Sequence, residues 1–135
     1  MLKNTYLSVK TLLECLEVIR MSRRLIKPGD LISGAVVVGN LVYTSGMIGG
    51  SGDTETQIRK IFEDLKKVLE EAGTSLKNVV KATVYLTDLS DREKYLNKIW
   101  KEIFPKNAPA RTTIQVGLAG DTKVEIELVA VIPKK

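Results

Sequence analysis

The run from Val124 to Ile132, VEIELVAVI, alternates so regularly that it constrains both an element and an architecture. Successive side chains of a β-strand point to opposite sides, so Val124, Ile126, Leu128, Ala130 and Ile132 form one wholly apolar side. Glu125, Glu127, Val129 and Val131 form the other, which turns from charged to apolar along its length. The first side requires a packed layer against it. The two outward valines would stay wet in a monomer, so the pattern predicts helices over one face of the sheet and another subunit over the helix-free face.

The remaining segments supply such a layer. Ile58, Ile61, Phe62, Leu65, Val68, Leu69 and Ala72 keep one helical face apolar, opened by Thr54 and Gln57 as a capping-box pair and ended by Gly73. Leu96, Ile99, Trp100, Ile103 and Phe104 mark a second helix, announced by Ser90 with Glu93 and stopped by Pro105. AVVV and LVYTS flank Gly39-Asn40, a two-residue turn that suits a hairpin, after a strand-like pattern beginning near Arg23. Val79–Thr87 reads as a strand with Val80, Ala82, Val84 and Leu86 in the core and Lys81, Thr83, Tyr85 and Thr87 on the other face. Strands near Arg111–Val116 and Val124–Ile132 complete the order β-β-β-α-β-α-β-β, an α+β class with two helices on one face of a sheet.

A chain of 135 residues buries one adequate core, and we read a single domain over 21–135. Residues 1–20 show weak helical spacing through Leu12, Leu13, Leu16 and Ile19 and join awkwardly to the strand-like pattern near Arg23, so they read as an N-terminal extension. Met21 is an alternative start, with a genuine helical extension the competing reading. No apolar stretch approaches the roughly 18 residues of a membrane span, and no secretory cleavage pattern is present, which predicts a cytoplasmic protein. The net charge of +5 invites a nucleic-acid reading. Yet residues 1–27 carry six Lys/Arg against two acids, and the rest carries fifteen against fourteen, with no aromatics interleaved among the basic residues. The expectation is therefore against nucleic acid as a partner.

There is no histidine, and Cys15 is the sole cysteine, so Cys/His zinc sites, His-based triads and internal disulfides are excluded. Proton chemistry falls to carboxylates, Tyr, Lys, backbone or water. Gly49, Gly50 and Gly52 lack the GxxxxGK[ST] pattern and read as a flexible turn, while Tyr85 and Trp100 read as packing residues.

Alternation places Arg111, Thr113 and Gln115 on one side of their strand, and Thr112, Ile114 and Val116 on the core side, so that Arg111 looks away from the helices. An arginine at a subunit interface suits a substrate carboxylate, because its planar fork offers two parallel charge-assisted hydrogen bonds. Glu127 can hold and polarise a water. The competing reading is an ion pair between Arg111 and Glu127 or Glu125 on neighbouring strands, which periodicity alone favours.

Four stretches add to this: VVVGNLVYTSG (36–46), NVVKATVYLTDL (78–89), PART (109–112) and VEIELVAV (124–131). In this order and spacing, from about Arg23 to Pro133, they resemble the reactive intermediate deaminase family, the RidA or YjgF group, also labelled L-PSP endoribonuclease or translation initiation inhibitor. The resemblance implies a chorismate-mutase-like fold, a homotrimer with sites between subunits, and hydrolysis of 2-imino acids released by PLP-dependent dehydratases to 2-keto acids and ammonia, without metal or cofactor. By position, Arg111 matches the arginine that binds the substrate carboxylate, and Glu127 the glutamate that positions water. Ser45 and Asn97 match residues lining the same cleft, and the Thr113 backbone N–H helps hold the carboxylate. The chain departs from the family pattern at Ile32, in DLISGAV, where a tyrosine is usual. It also carries Thr113 where cysteine is frequent, and Met47 where Gln is usual. These departures keep two further readings open: a non-catalytic trimer that binds small 2-keto acids and reports them to a partner, and the ribonuclease or translation inhibitor of the older labels.

Overall fold

The computed structural model describes residues 8–16 and 23–134. Residues 8–16 are helical, with Val9, Leu12, Leu13, Cys15 and Leu16 exposed. Ile19, Met21 and the boundary of the expected extension lie outside the described residues.

Seven strands succeed that helix: β1 (Arg24–Ile26), β2 (Ala35–Val38), β3 (Leu41–Thr44), the two-residue β4 (Met47–Ile48), β5 (Val79–Leu86), β6 (Ala110–Gln115) and β7 (Val124–Val131). Helix α1 (Thr54–Ala72) connects β4 to β5; a π turn (Arg92–Leu96) leads into helix α2 (Asn97–Ile103) between β5 and β6. The expected order holds, with β4 as its one addition. The sheet runs β1-β2-β3-β7-β5-β6, with β4 also pairing β7. Only β5 and β6 pair in parallel, as the helical crossover between them requires. The hairpin turns where expected, Val38 pairing with Leu41, and Gly39 supplies the positive φ of +59°.

Strand β7 is central, and its apolar side is fully used: Val124, Ile126, Leu128 and Ala130 are all buried under α1 and α2. Leu65 of α1 is completely buried in the same core. Leu65→Ala is expected to cost about 3 kcal/mol, the usual loss for a leucine whose cavity cannot collapse. Urea unfolding at matched protein concentration would show a lower midpoint with an unchanged slope, and a loss under about 1 kcal/mol would mean that the helix repacks.

Several local readings need correction. Asp53, not Thr54, caps α1, accepting from the Thr56 N–H at 2.8 Å. Gln57 is wholly buried and bridges two loops: its Nε2 donates to the carbonyls of Gly52 (2.9 Å) and Asp121 (3.0 Å), and its Oε1 accepts from the Lys123 N–H. No capping box forms at Ser90 either; Asp88 accepts from both its N–H and its hydroxyl, and Glu93 turns to Asn97. In β5 the pairing with β7 shifts between Val79 and Lys81, so Val79 is buried and Val80 is left exposed. A bulge of this kind puts two residues opposite one, and alternation cannot be carried through it.

The helix-free face has the divided character that β7 predicts. Register aligns Leu25, Val36, Tyr43 and Val129 across one end of it. Thr112, Thr83 and Glu127 align across the other. Leu25 and Tyr43 remain 43% and 47% exposed, so the apolar end lacks a cover among the described residues.

Candidate active site

The expected residues fall into two groups. The first lies on the edge strand β6 and the helical segment above it. Arg111 pairs in register with Ala82, a core residue, and its side chain lies on the helix side of the sheet. Its Nη2 donates to Asn97 Oδ1 at 2.9 Å, and its Cζ sits 4.8 Å from the centre of the Trp100 ring. The face assigned to Arg111 from the sequence was therefore inverted: Arg111, Thr113 and Gln115 face the helices, while Thr112, Ile114 and Val116 are exposed. The reason is physical. At the sheet's edge the helix layer offers Asn97 and the Trp100 ring rather than an apolar floor, so the polar alternate residues turn inward.

Burial holds the Arg111 pKa below its usual value; the nearby Arg92 charge pushes the same way and Glu93 opposes it. The group nonetheless stays cationic, as arginine does in proteins. Thr113, two residues on, is half-buried, and its Oγ1 is buried without a hydrogen-bond partner.

The second group lies on the helix-free face. Glu127 accepts from the Tyr85 hydroxyl at 2.5 Å. This bond, burial and the charges of Glu127 and Glu125 all raise the Tyr85 pKa, so the phenol remains a proton donor at neutral pH. Ser45 and Gly46 bridge the end of β3, whose Tyr43 pairs Val129, and the start of β4, whose Met47 pairs Ile126; they therefore run beside Glu127. A Cβ at Gly46 would lie 2.6 Å from the Glu125 carboxylate, so a larger residue there requires that side chain to move. The Ser45 hydroxyl donates to the Ser33 carbonyl at 2.5 Å, which ties this corner to the loop bearing Ile32, itself 69% exposed.

Arg111 and Glu127 thus lie on opposite faces of one sheet, with β5 between their strands. This disposes of the ion-pair reading: among the described residues no carboxylate lies within salt-bridge distance of Arg111, and its polar partner is the neutral Asn97.

A family model described as Endoribonuclease L-PSP matches residues 25–132. A RutC family protein of Pyrococcus abyssi is 39% identical over 113 residues, spanning 77% of this chain and 88% of that protein. A human protein named 2-iminobutanoate/2-iminopropanoate deaminase is 36% identical over 108 residues, 73% of this chain and 78% of its own. The chain belongs to the RidA/YjgF family.

Among solved RidA/YjgF structures, RidA from an Antarctic Psychrobacter superposes with a TM-score of 0.73 at 37% identity, covering 80% of this chain and 94% of that one. A YjgF family member from Neisseria meningitidis reaches 0.79 at 28% identity, covering 84% and 97%. The fold is accordingly the α+β, chorismate-mutase-like one that the resemblance implies. Among the described residues no helix is long and apolar enough to cross a membrane.

Two participants escaped the sequence reading of this RidA/YjgF chain. Tyr85, taken for packing, holds Glu127; their pairing was readable only after the β5–β7 register was known. Trp100 does pack, against Phe62 and Phe104, but it also carries Arg111 on its face.

Proposed function

We propose that this protein hydrolyses 2-imino acids to 2-keto acids and ammonia, in a site completed between two copies of the chain. The observation that carries this reading is a half-buried guanidinium held by an amide and an aromatic ring, with no carboxylate among the described residues paired to it. Such a group is prepared for a carboxylate from outside. Since Glu127 is on the opposite face, the edge strand β6 of one copy must meet the helix-free face of another to bring both to one substrate. The exposed Ile114 and Val116 on the outward side of that edge region, and the uncovered apolar end of the sheet, favour such an assembly, with the family's trimer as its form.

In this site the Arg111 fork and the Thr113 N–H hold the substrate carboxylate. Ser45, Asn97 and Ile32 line the cleft. Glu127 orients a water and takes one of its protons as oxygen bonds to the imine carbon; it returns that proton to nitrogen, and as the C–N bond breaks to release ammonia the C=O bond forms and the remaining hydroxyl proton passes to Glu127. A protonated imine is already electrophilic, so positioning does most of the work and no cofactor enters. The deaminase named among the relatives supports the substrate class. The site lies in a protein of the cytoplasm and acts on imines from PLP-dependent dehydratases.

The test is a coupled assay in which a threonine dehydratase generates 2-iminobutanoate and its lifetime is followed. Faster decay with the protein is the expected result. Tight binding of 2-oxobutanoate without faster decay would instead support a non-catalytic binder, a reading that the exposed Ile32, without a hydroxyl, keeps in play. Tyr85→Phe, which removes only the donor to Glu127, is expected to lower kcat about tenfold with little change in KM. An unchanged kcat would return Tyr85 to a packing role.

A further inference from the structure

The π turn Arg92–Leu96 carries a second guanidinium, joined to the first through Glu93 and Asn97: Glu93 Oε1 stands 3.6 Å from Arg92 Nε and accepts from Asn97 Nδ2, and Asn97 Oδ1 accepts from Arg111 Nη2 at 2.9 Å. Among the described residues, the buried side-chain polar atoms without a hydrogen-bond partner are Arg92 Nε and Thr113 Oγ1. Both belong to the Arg111 cluster: Thr113 shares its strand face, and Arg92 is near enough for its charge to act on Arg111. Glu93 does not satisfy Arg92, because its carboxylate stands 3.6 Å from Nε, too far for a hydrogen bond, and already accepts from Asn97 Nδ2 at 3.2 Å. That ion pair, with side chains 42% and 74% exposed, contributes little to stability. Two like charges in one cluster, with a buried N–H and a buried hydroxyl unmet, are costly for folding and useful for binding.

We propose that Arg92 binds a second acidic group, so that this site prefers imino acids whose side chain ends in a carboxylate or similar anion. The proposal rests on Arg111 as the anchor for the first carboxylate. Arg92 then acts as a specificity residue for the group at the other end of the ligand, while Arg111 holds the first carboxylate. The π turn matters here because it inserts one extra residue ahead of Asn97, the residue that holds Arg111, and such turns are frequent at functional sites.

The experiment is calorimetric titration of the whole protein at low salt with 2-oxobutanoate and 2-oxoglutarate, stable keto analogues with one and two carboxylates. Wild type is expected to bind the dicarboxylate about tenfold more tightly, the worth of one added charge-assisted contact. The ratio falls to about one in Arg92→Met and persists in Glu93→Gln. A wild-type ratio near one, or a ratio that survives Arg92→Met, overturns the proposal while leaving Arg111 as anchor. If neither acid binds, or if Arg111→Ala leaves both affinities intact, the reading of the site itself has failed and the proposal with it.

Discussion

Arg111→Ala is expected to lower kcat/KM for 2-iminobutanoate by roughly two to three orders of magnitude. Its guanidinium is fixed before substrate arrives, by Asn97 at 2.9 Å and by the Trp100 face at 4.8 Å, so little side-chain freedom is lost on binding. Two parallel charge-assisted hydrogen bonds to a carboxylate contribute about 3–4 kcal/mol together, which converts to that range of rate. Arg111→Lys keeps the charge but loses the fork and the stacking on Trp100, and is expected to recover only a small part. Steady-state rates with both variants, checked for unchanged association state, decide the matter. A kcat/KM within threefold of wild type in Arg111→Ala would remove the arginine from the site.

Glu127→Gln has the second large effect, a fall in kcat of about 10²- to 10⁴-fold, the range typical of a positioned general base. Glutamine still accepts from the Tyr85 hydroxyl, so the corner keeps its shape, and affinity for 2-oxobutanoate is expected to change little. The two variants also test each other. Because Arg111 and Glu127 lie on opposite faces of one sheet, the proposed site takes them from different copies. Arg111→Ala and Glu127→Gln chains, each inactive alone, are therefore expected to regain activity when refolded together, with roughly a quarter of the sites receiving both intact residues. No recovery from mixtures shown to have exchanged subunits would mean that the two residues do not share a site.

Much of the fold was legible because it depends on local chemistry. The alternation in Val124–Val131, the apolar face of α1, Gly39 in its turn and Gly73 at φ +98° past the helix end are each decided within a few residues, and each appears where expected. What escaped depends on neighbours distant in sequence. The bulge at Val80 exists only against β7, and the Tyr85–Glu127 pair only in that register. Arg111 was given the wrong face because Ile114 and Val116 look like core residues in isolation, whereas in an edge strand they are exposed. Resemblance supplied the candidate residues, but their division between two faces came from the strand pairing, and with it the proposal of a site shared by two copies.

The π turn ahead of α2 has a consequence for how this site can diverge. Each residue of a helix advances about 100° around the axis, so losing one residue from Arg92–Leu96 would restore regular winding and turn the later positions relative to the earlier ones. Arg92 and the Asn97 amide on Arg111 could then no longer both keep their present relation. If Arg92 and Arg111 act as proposed, insertion or deletion in this one turn is a route by which this chain's substrate choice can change, with the β6 arginine and the sheet untouched.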